Sequence, residues 1–314
     1  MFWQLGRKPR LAVVLSGGAM LGAFEVGVID VLARRGLTPD LLVGTSVGAV
    51  NAAYWAFNPG PDVGEKLYQA WLDMDRRRVF PRNPWPAVQG LLRGRDHLLT
   101  SSGLLQVLER NLGVEPRPKL EESAVPVVVV AADAASGEKV QLRHGDAITA
   151  VLASAAIPGI WPPVEREGRL LIDGGVVANL DLESALDAGA TDLIAVDLIG
   201  PTHGPAATHL LNVVQRTINF TLRRQTDLAL LAFRARARLA LMRPVYHWSA
   251  GLGAPGEIAA LFEMGRAAAE QLVAHHLRGR RVVSGTLTPD LEMPPGLPRQ
   301  LPGPVGALAI LRNR

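Results

Sequence analysis

Ser46 stands at the centre of Gly44-Thr45-Ser46-Val47-Gly48, a spacing that suits nucleophilic acyl transfer. The apolar run Leu41-Leu42-Val43 precedes it and an apolar, helix-like stretch from Ala49 to Phe57 follows. Strand, tight turn and helix would project the serine hydroxyl away from a sheet, at a helix N-terminus. Gly44 and Gly48 carry no side chain to block an approaching carbonyl, and the helix dipole favours negative charge developing nearby. The pentapeptide alone also fits a glycine-rich turn with a serine cap, so its surroundings must decide.

Two further segments bear on that choice. Upstream, Leu11-Ala12-Val13-Val14-Leu15 reads as a buried strand, followed by Ser16-Gly17-Gly18-Ala19-Met20-Leu21-Gly22 and an apolar helix from Ala23 to about Arg35. Such a loop leaves backbone N–H groups uncovered for a phosphate or an oxyanion. It matches neither the dinucleotide pattern G-x-G-x-x-G nor a P-loop, because Ala23 and Phe24 follow Gly22 in place of Lys and Ser/Thr. Downstream, the apolar Leu170-Leu171-Ile172 runs into Asp173-Gly174-Gly175. An Asp before two glycines is a common turn former. Held beside Ser46 and partly buried, its carboxylate would become a competent proton acceptor.

Together these residues resemble the patatin-like phospholipase family, which pairs a glycine-rich oxyanion loop, a G-x-S-x-G nucleophile and a D-G-[GA] aspartate without histidine. Ala150 to Val164 (AVLASAAIPGIWPPV) and Asp173 to Leu186 (DGGVVANLDLESAL) are similar to the flanking stretches of that family. The resemblance runs from about Leu11 to Asp197 and more loosely to about His276. It implies Ser46 as nucleophile, Asp173 as its dyad partner, and Gly17, Gly18 and Ala19 as the loop whose amides form the oxyanion hole. It implies a lipid ester substrate, most directly a phospholipid or lysophospholipid, and no cofactor. The chain departs from the family at Ala19, where a third glycine is frequent, and at Leu21, where a basic residue is usual. Asp181 stands where proline is frequent. The departures at Ala19 and Leu21 favour a competing reading, a lipid-binding protein of the same fold that hydrolyses poorly.

A Ser-His-Asp esterase for small soluble esters is the other alternative, since His203, His209, His247, His275 and His276 all follow Asp173. None lies in a segment built around it. His275 and His276 end an apparent helix, where they suit the dipole. Metal spacings such as H-E-x-x-H are absent and the chain has no cysteine, so neither a zinc site nor a disulfide is suggested.

These groups need a scaffold. At 314 residues and 48% hydrophobic content the chain can bury a large core. Strands are expected at Leu11–Leu15, Leu41–Val43, Val127–Ala132, Leu170–Ile172 and Leu193–Leu198, with helices between them. That alternation predicts an α/β fold, a three-layer sandwich with a mostly parallel central sheet. Residues 1–284 are expected to form the catalytic domain, and the Pro/Gly-rich 285–314 a tail that packs on it or extends from it. The proline-broken segment 58–100, with Trp71, Phe80 and Trp85, suits a cleft cover or a cap.

Arg7, Lys8 and Arg10 before an apolar run imitate a signal peptide, but the run is interrupted by Gly17-Gly18, and cleavage would remove the glycine-rich loop. A cytoplasmic location is expected, with peripheral contact to membrane. Net charge is +4 with a pI near 9.8. Seven arginines lie between Arg216 and Arg243 against one acid, Asp227, interleaved with leucines. The stretch reads as a basic amphipathic helix suited to an anionic membrane surface, or as a core-packed helix with a solvated basic face. No aromatic platform accompanies the arginines, so nucleic acid is not an expected partner. Arg76-Arg77-Arg78 reads as a solvated turn.

Overall fold

The computed structural model describes residues 11–74, 79, 94–113, 116–201, 210–233, 235–246 and 255–292. Apolar runs without polar alternation become strands buried on both faces. These are β1 (Leu11–Leu15), β2 (Leu41–Thr45), β3 (Val127–Asp133) and β7 (Asp192–Val196), all fully buried. Shorter, more polar strands complete the sheet: β4 (Lys139–Leu142), β5 (Val164–Arg166), β6 (Arg169–Asp173) and β8 (Arg238–Met242), with an edge strand Gly285–Leu287. The hydrogen-bonded path runs from the edge strand through β8, β7, β1, β2, β3 and β6 to β5, with β4 also on β3. The pairs from the edge strand to β3 are parallel, whereas β4 and β6 run antiparallel to β3, and β5 to β6.

Period-two alternation sends successive side chains to opposite layers. Leu11, Val13, Leu15, Val127 and Val129 join one core with α1 (Gly22–Arg34), α2 (Val47–Phe57) and α9 (Pro255–His276). Ala12, Val14, Val128 and Val130 join the other, under α7 (Leu182–Asp187) and α8 (Leu210–Phe233). The result is the expected three-layer α/β sandwich. Four further helices are α3 (Val63–Asp73), α4 (Ser102–Leu112), α5 (Ala147–Ser154) and the short α6 (Gly175–Ala178).

The α1–α9 contact is unusually close. A Cβ on Gly27 would strike the Phe262 carbonyl oxygen, and one on Gly265 would strike that of Phe24. Two glycines therefore let the helix backbones touch, and the contact seats the helix that follows the glycine-rich loop.

Two expectations need correction. The Arg-rich stretch is not one helix: α8 ends at Phe233, and Arg238 to Met242 form β8. Two of its arginines are structural, Arg238 pairing with Asp192 at 2.5 Å, and Arg243 with Asp197 at 2.7 Å and Asp227 at 2.6 Å. Residues 285–291 do not begin a tail, since Gly285–Leu287 extends the sheet and Asp290–Leu291 pairs with Val245–Tyr246. Asp181 caps α7, accepting from the Ser184 amide at 3.1 Å. The arginine run 76–78, Phe80, Trp85 and residues 293–314 lie outside the described residues.

Candidate active site

The site is built at the ends of β1, β2 and β6. Val129 and Val130 of β3 pair with both β2 and β4, while Ala131 and Ala132 pair with both β4 and β6. A strand has only two edges, so β2 and β6 share one edge of β3, end to end. Thr45 is opposite Val130, and Asp173 is opposite the next residue, Ala131. Ser46, the residue after Thr45, therefore meets Asp173 where the two strands abut, with its hydroxyl near enough to favour the ionised carboxyl.

Ser46 has φ 55° and ψ −122°, a left-handed conformation for a residue with a side chain. Such backbone costs on the order of 1–3 kcal/mol and persists only where its surroundings enforce it. Enforcement comes from both sides. The Ser46 N–H donates to Ser154 Oγ at 2.9 Å, and that hydroxyl donates to the Val130 carbonyl at 2.5 Å. The Ser46 carbonyl accepts from Ala49 and Val50, the first turn of α2. The elbow glycines answer to close approach: a Cβ on Gly44 would strike the Gly48 carbonyl, and one on Gly48 the carbonyl of Leu15.

Asp173 is 6% exposed. Burial pushes its carboxyl up from 3.8 to about 6, against the opposing hydrogen bonds from Ser46 and from the Gly175 amide. The Gly175 N–H donates to Oδ1 at 2.7 Å. Desolvation thus outweighs hydrogen bonding, and the group is poised near neutrality.

The loop after β1 lies against the same point, with a Cβ on Gly17 falling 3.2 Å from Ser46 Cβ. Asn179, 2% exposed, ties this loop to the Asp173 segment. Its carbonyl accepts from the Gly17 N–H at 3.2 Å, and its Nδ2 donates to the Gly17 carbonyl at 3.3 Å. The Gly17 amide is therefore committed. Among the described residues no acceptor engages the amides of Gly18 or Ala19. Ala19 has φ 50°, so alanine keeps the turn that glycine would make more easily. Leu21 is partly buried against the core. Below the loop, buried Asn51 donates to the Gly22 carbonyl at 3.0 Å and to Glu25 at 2.9 Å, and accepts from Trp71 Nε1 at 3.1 Å. Burial raises Glu25 well above the ordinary carboxylate range.

An apolar cavity of about 960 Å³, its open mouth included, begins at Ser46 and Ala19 and runs between α2, α3 and α4. Val50, Leu67, Trp71, Leu104 and Leu108 are among its walls. The segment expected as a cleft cover thus supplies a wall through α3.

Ser154, Asn179 and Asn51 carry much of the site's geometry without any signal in spacing or charge. Of the histidines weighed for a triad, His275 and His276 bond the carbonyls of Gln271 and Val283 at the end of α9. His203, His209 and His247 lie outside the described residues. No group of three or more metal-ligating side chains occurs among the described residues.

A serine on a strand–helix elbow, facing a buried carboxylate in a mostly parallel three-layer sandwich, is the arrangement that the resemblance implied. The chain belongs to the Patatin-like phospholipase family, which it matches over residues 13–186. An uncharacterized NTE family protein of Mycobacterium tuberculosis is 30% identical over 214 residues, covering 67% of this chain and 55% of that protein. The chain thus matches little more than half the length of this curated relative. Patatin-like phospholipase domain-containing protein 6 of Mus musculus is 27% identical over 190 residues, covering 60% of this chain and 13% of that protein. Among solved structures, VipD from Legionella pneumophila aligns with 15% identity and a TM-score of 0.46, over 85% of this chain and 67% of that one.

Proposed function

We propose that this protein is a serine acyl-ester hydrolase with a Ser46–Asp173 dyad, acting on fatty acyl esters of phospholipids or lysophospholipids. The observation that carries this reading is a strained Ser46 beside a buried carboxylate raised to about 6, at the head of an apolar cavity. Asp173 accepts the hydroxyl proton as Ser46 Oγ attacks the ester carbonyl. The amides of Gly18 and Ala19 receive the oxyanion, and Gly17 holds the loop through Asn179. As the tetrahedral intermediate collapses, the proton passes to the leaving alcohol and the acyl group stays on Ser46. Water, deprotonated by Asp173, then attacks the acyl-serine and releases the fatty acid. A preorganised oxyanion donor is typically worth about 3 kcal/mol, so loop and dyad contribute comparably. The cavity takes the acyl chain, because its walls are almost wholly hydrocarbon.

A fluorophosphonate probe with mass mapping tests the nucleophile, paired with fatty-acid release from lysophospholipid. Labelling confined to Ser46, and loss of release in Ser46→Ala, is the expected result. Fatty-acid release that survives Ser46→Ala would remove the nucleophile. Labelling without release from any lipid ester would leave a reactive serine and overturn the substrate class.

A further inference from the structure

Eight large apolar side chains are exposed among the described residues, and five of them lie on α8: Val213, Ile218, Phe220, Leu228 and Leu231, each between 46% and 61% exposed. A sixth, Val176, is 49% exposed and sits three residues from Asp173. Gln225 of α8 joins the two regions, donating to the Val176 carbonyl at 3.2 Å and accepting from the Asn179 amide at 2.8 Å. At 100° per residue, Val213, Phe220, Arg224, Leu228 and Leu231 fall on one stripe, with Arg216 and Arg223 along its margin. Leu230 and Phe233, off this stripe, pack α8 on the core beneath the sheet.

Charge decides what covers such a stripe. The one acid on α8, Asp227, is bound by Arg243. Among the described residues no carboxylate pairs with Arg223 or Arg224. The Arg216 guanidinium lies 5.9 Å from the Phe220 ring centroid. A second copy would bring the same positive stripe. Residues 293–314 carry three arginines, Arg299, Arg312 and Arg314, and no acid, so they too share its sign. An anionic lipid surface has the opposite sign and takes apolar side chains at its acyl boundary.

We propose that the exposed stripe of α8, continued by Val176, docks on anionic lipid bilayers and seats the Asp173 segment at the membrane surface. The apolar residues enter the headgroup boundary while Arg223 and Arg224 meet lipid phosphates. No helix among the described residues, α8 included, is long and apolar enough to cross a membrane. α8 would lie in the interface, tied to the Asp173 loop by Gln225. The purpose of docking rests on the lipid-ester reading above, but docking itself is measurable without turnover.

The test is co-sedimentation of the full chain with vesicles of phosphatidylcholine alone, or mixed with phosphatidylglycerol, at low and high salt. Wild type and Ser46→Ala are expected to bind the anionic vesicles at low salt and to leave them at high salt. Each basic residue near such a surface is worth roughly fivefold in partitioning, so Arg223→Gln/Arg224→Gln should bind about twenty-five-fold more weakly. Phe220→Asp/Leu231→Asp should also release the protein while keeping wild-type hydrolysis of a short soluble nitrophenyl ester, which doubles as the folding control. The proposal is overturned if wild type ignores anionic vesicles at low salt. It is equally overturned if both double variants bind as wild type does, which would assign binding elsewhere on the chain. Concentration-dependent dimerisation abolished by Phe220→Asp/Leu231→Asp would give the stripe to a second copy instead. Hydrolysis of soluble esters without docking would leave the dyad standing and remove only this surface.

Discussion

Ser154 holds the backbone of Ser46: its buried hydroxyl takes the Ser46 amide at 2.9 Å and passes its own proton to Val130. The nucleophile's strained φ is thus clamped from β3 and α5, elements remote from the pentapeptide itself.

Ser154→Ala removes that acceptor and leaves a buried N–H without a partner. Such an orphan costs about 1–3 kcal/mol. We expect a lower Tm together with slower fluorophosphonate labelling of Ser46, the second effect being what a purely structural serine would not give. Unchanged labelling kinetics would mean the elbow holds its shape without the clamp.

Asp173 should govern the acid limb of the pH–rate profile. With its carboxyl near 6, kcat/KM is expected to fall about tenfold per pH unit below that value and to level off above it. Stability runs the other way. The unfolded chain ionises this group near the ordinary 3.8 and the native state only near 6, so the native state binds the extra proton between them. The cost of the buried charge therefore appears as pH rises through that window and is fully present above it. Asp173→Asn should be inactive yet more stable than wild type at pH 8, by as much as about 3 kcal/mol, with the gap closing as pH falls towards 4. Thermal melts across pH check the sign; a variant less stable than wild type at pH 8 would show the Ser46 and Gly175 hydrogen bonds outweighing desolvation.

The cavity should set chain-length preference. Leu104→Trp places a large ring in its wall on α4. Each buried methylene contributes about 0.8 kcal/mol, so blocking the seat of three should lower kcat/KM for long acyl esters on the order of fifty-fold. Short nitrophenyl esters should be turned over nearly as before. An equal loss for both would place the acyl chain elsewhere.

Gly27→Ala tests the helix crossing. The added methyl meets the backbone of α9, which cannot swing aside as a side chain would. We expect destabilisation of about 3 kcal/mol or more, read by denaturant melts, and a matching change at Gly265. A small effect at either would mean that the helices separate at little expense.

Much of the scaffold was legible in the chain. The buried strands β1, β2, β3 and β7 are apolar runs long enough to name themselves; Ser46 follows β2, while Asp173 closes the shorter β6 after the apolar Leu170–Ile172. The strands that escaped are those whose polar residues disguise them. Lys139 and Gln141 interrupt β4, and β8 lies inside an Arg-rich run whose residues continue the composition of α8. Its arginines are there because Asp192 and Asp197 wait at the two ends of the strand, facts of register rather than of local pattern. Ser154 and Asn179 were hidden for the same reason. A serine in an apolar helix end and an asparagine in a turn acquire meaning only when β2 and β6 abut on β3.

The meeting of Gly27 with Gly265 also has a consequence in time. Synthesis delivers α1 well before α9, and neither helix can take its final seat without the other. The family match stops at residue 186, but the helix that begins at Gly22, directly after the glycine-rich loop, leans on backbone made much later. A nascent chain carrying both Ser46 and Asp173 would still lack the support that fixes this loop. The site would then be completed only after α9 has emerged, well behind the strands that carry its serine and carboxylate.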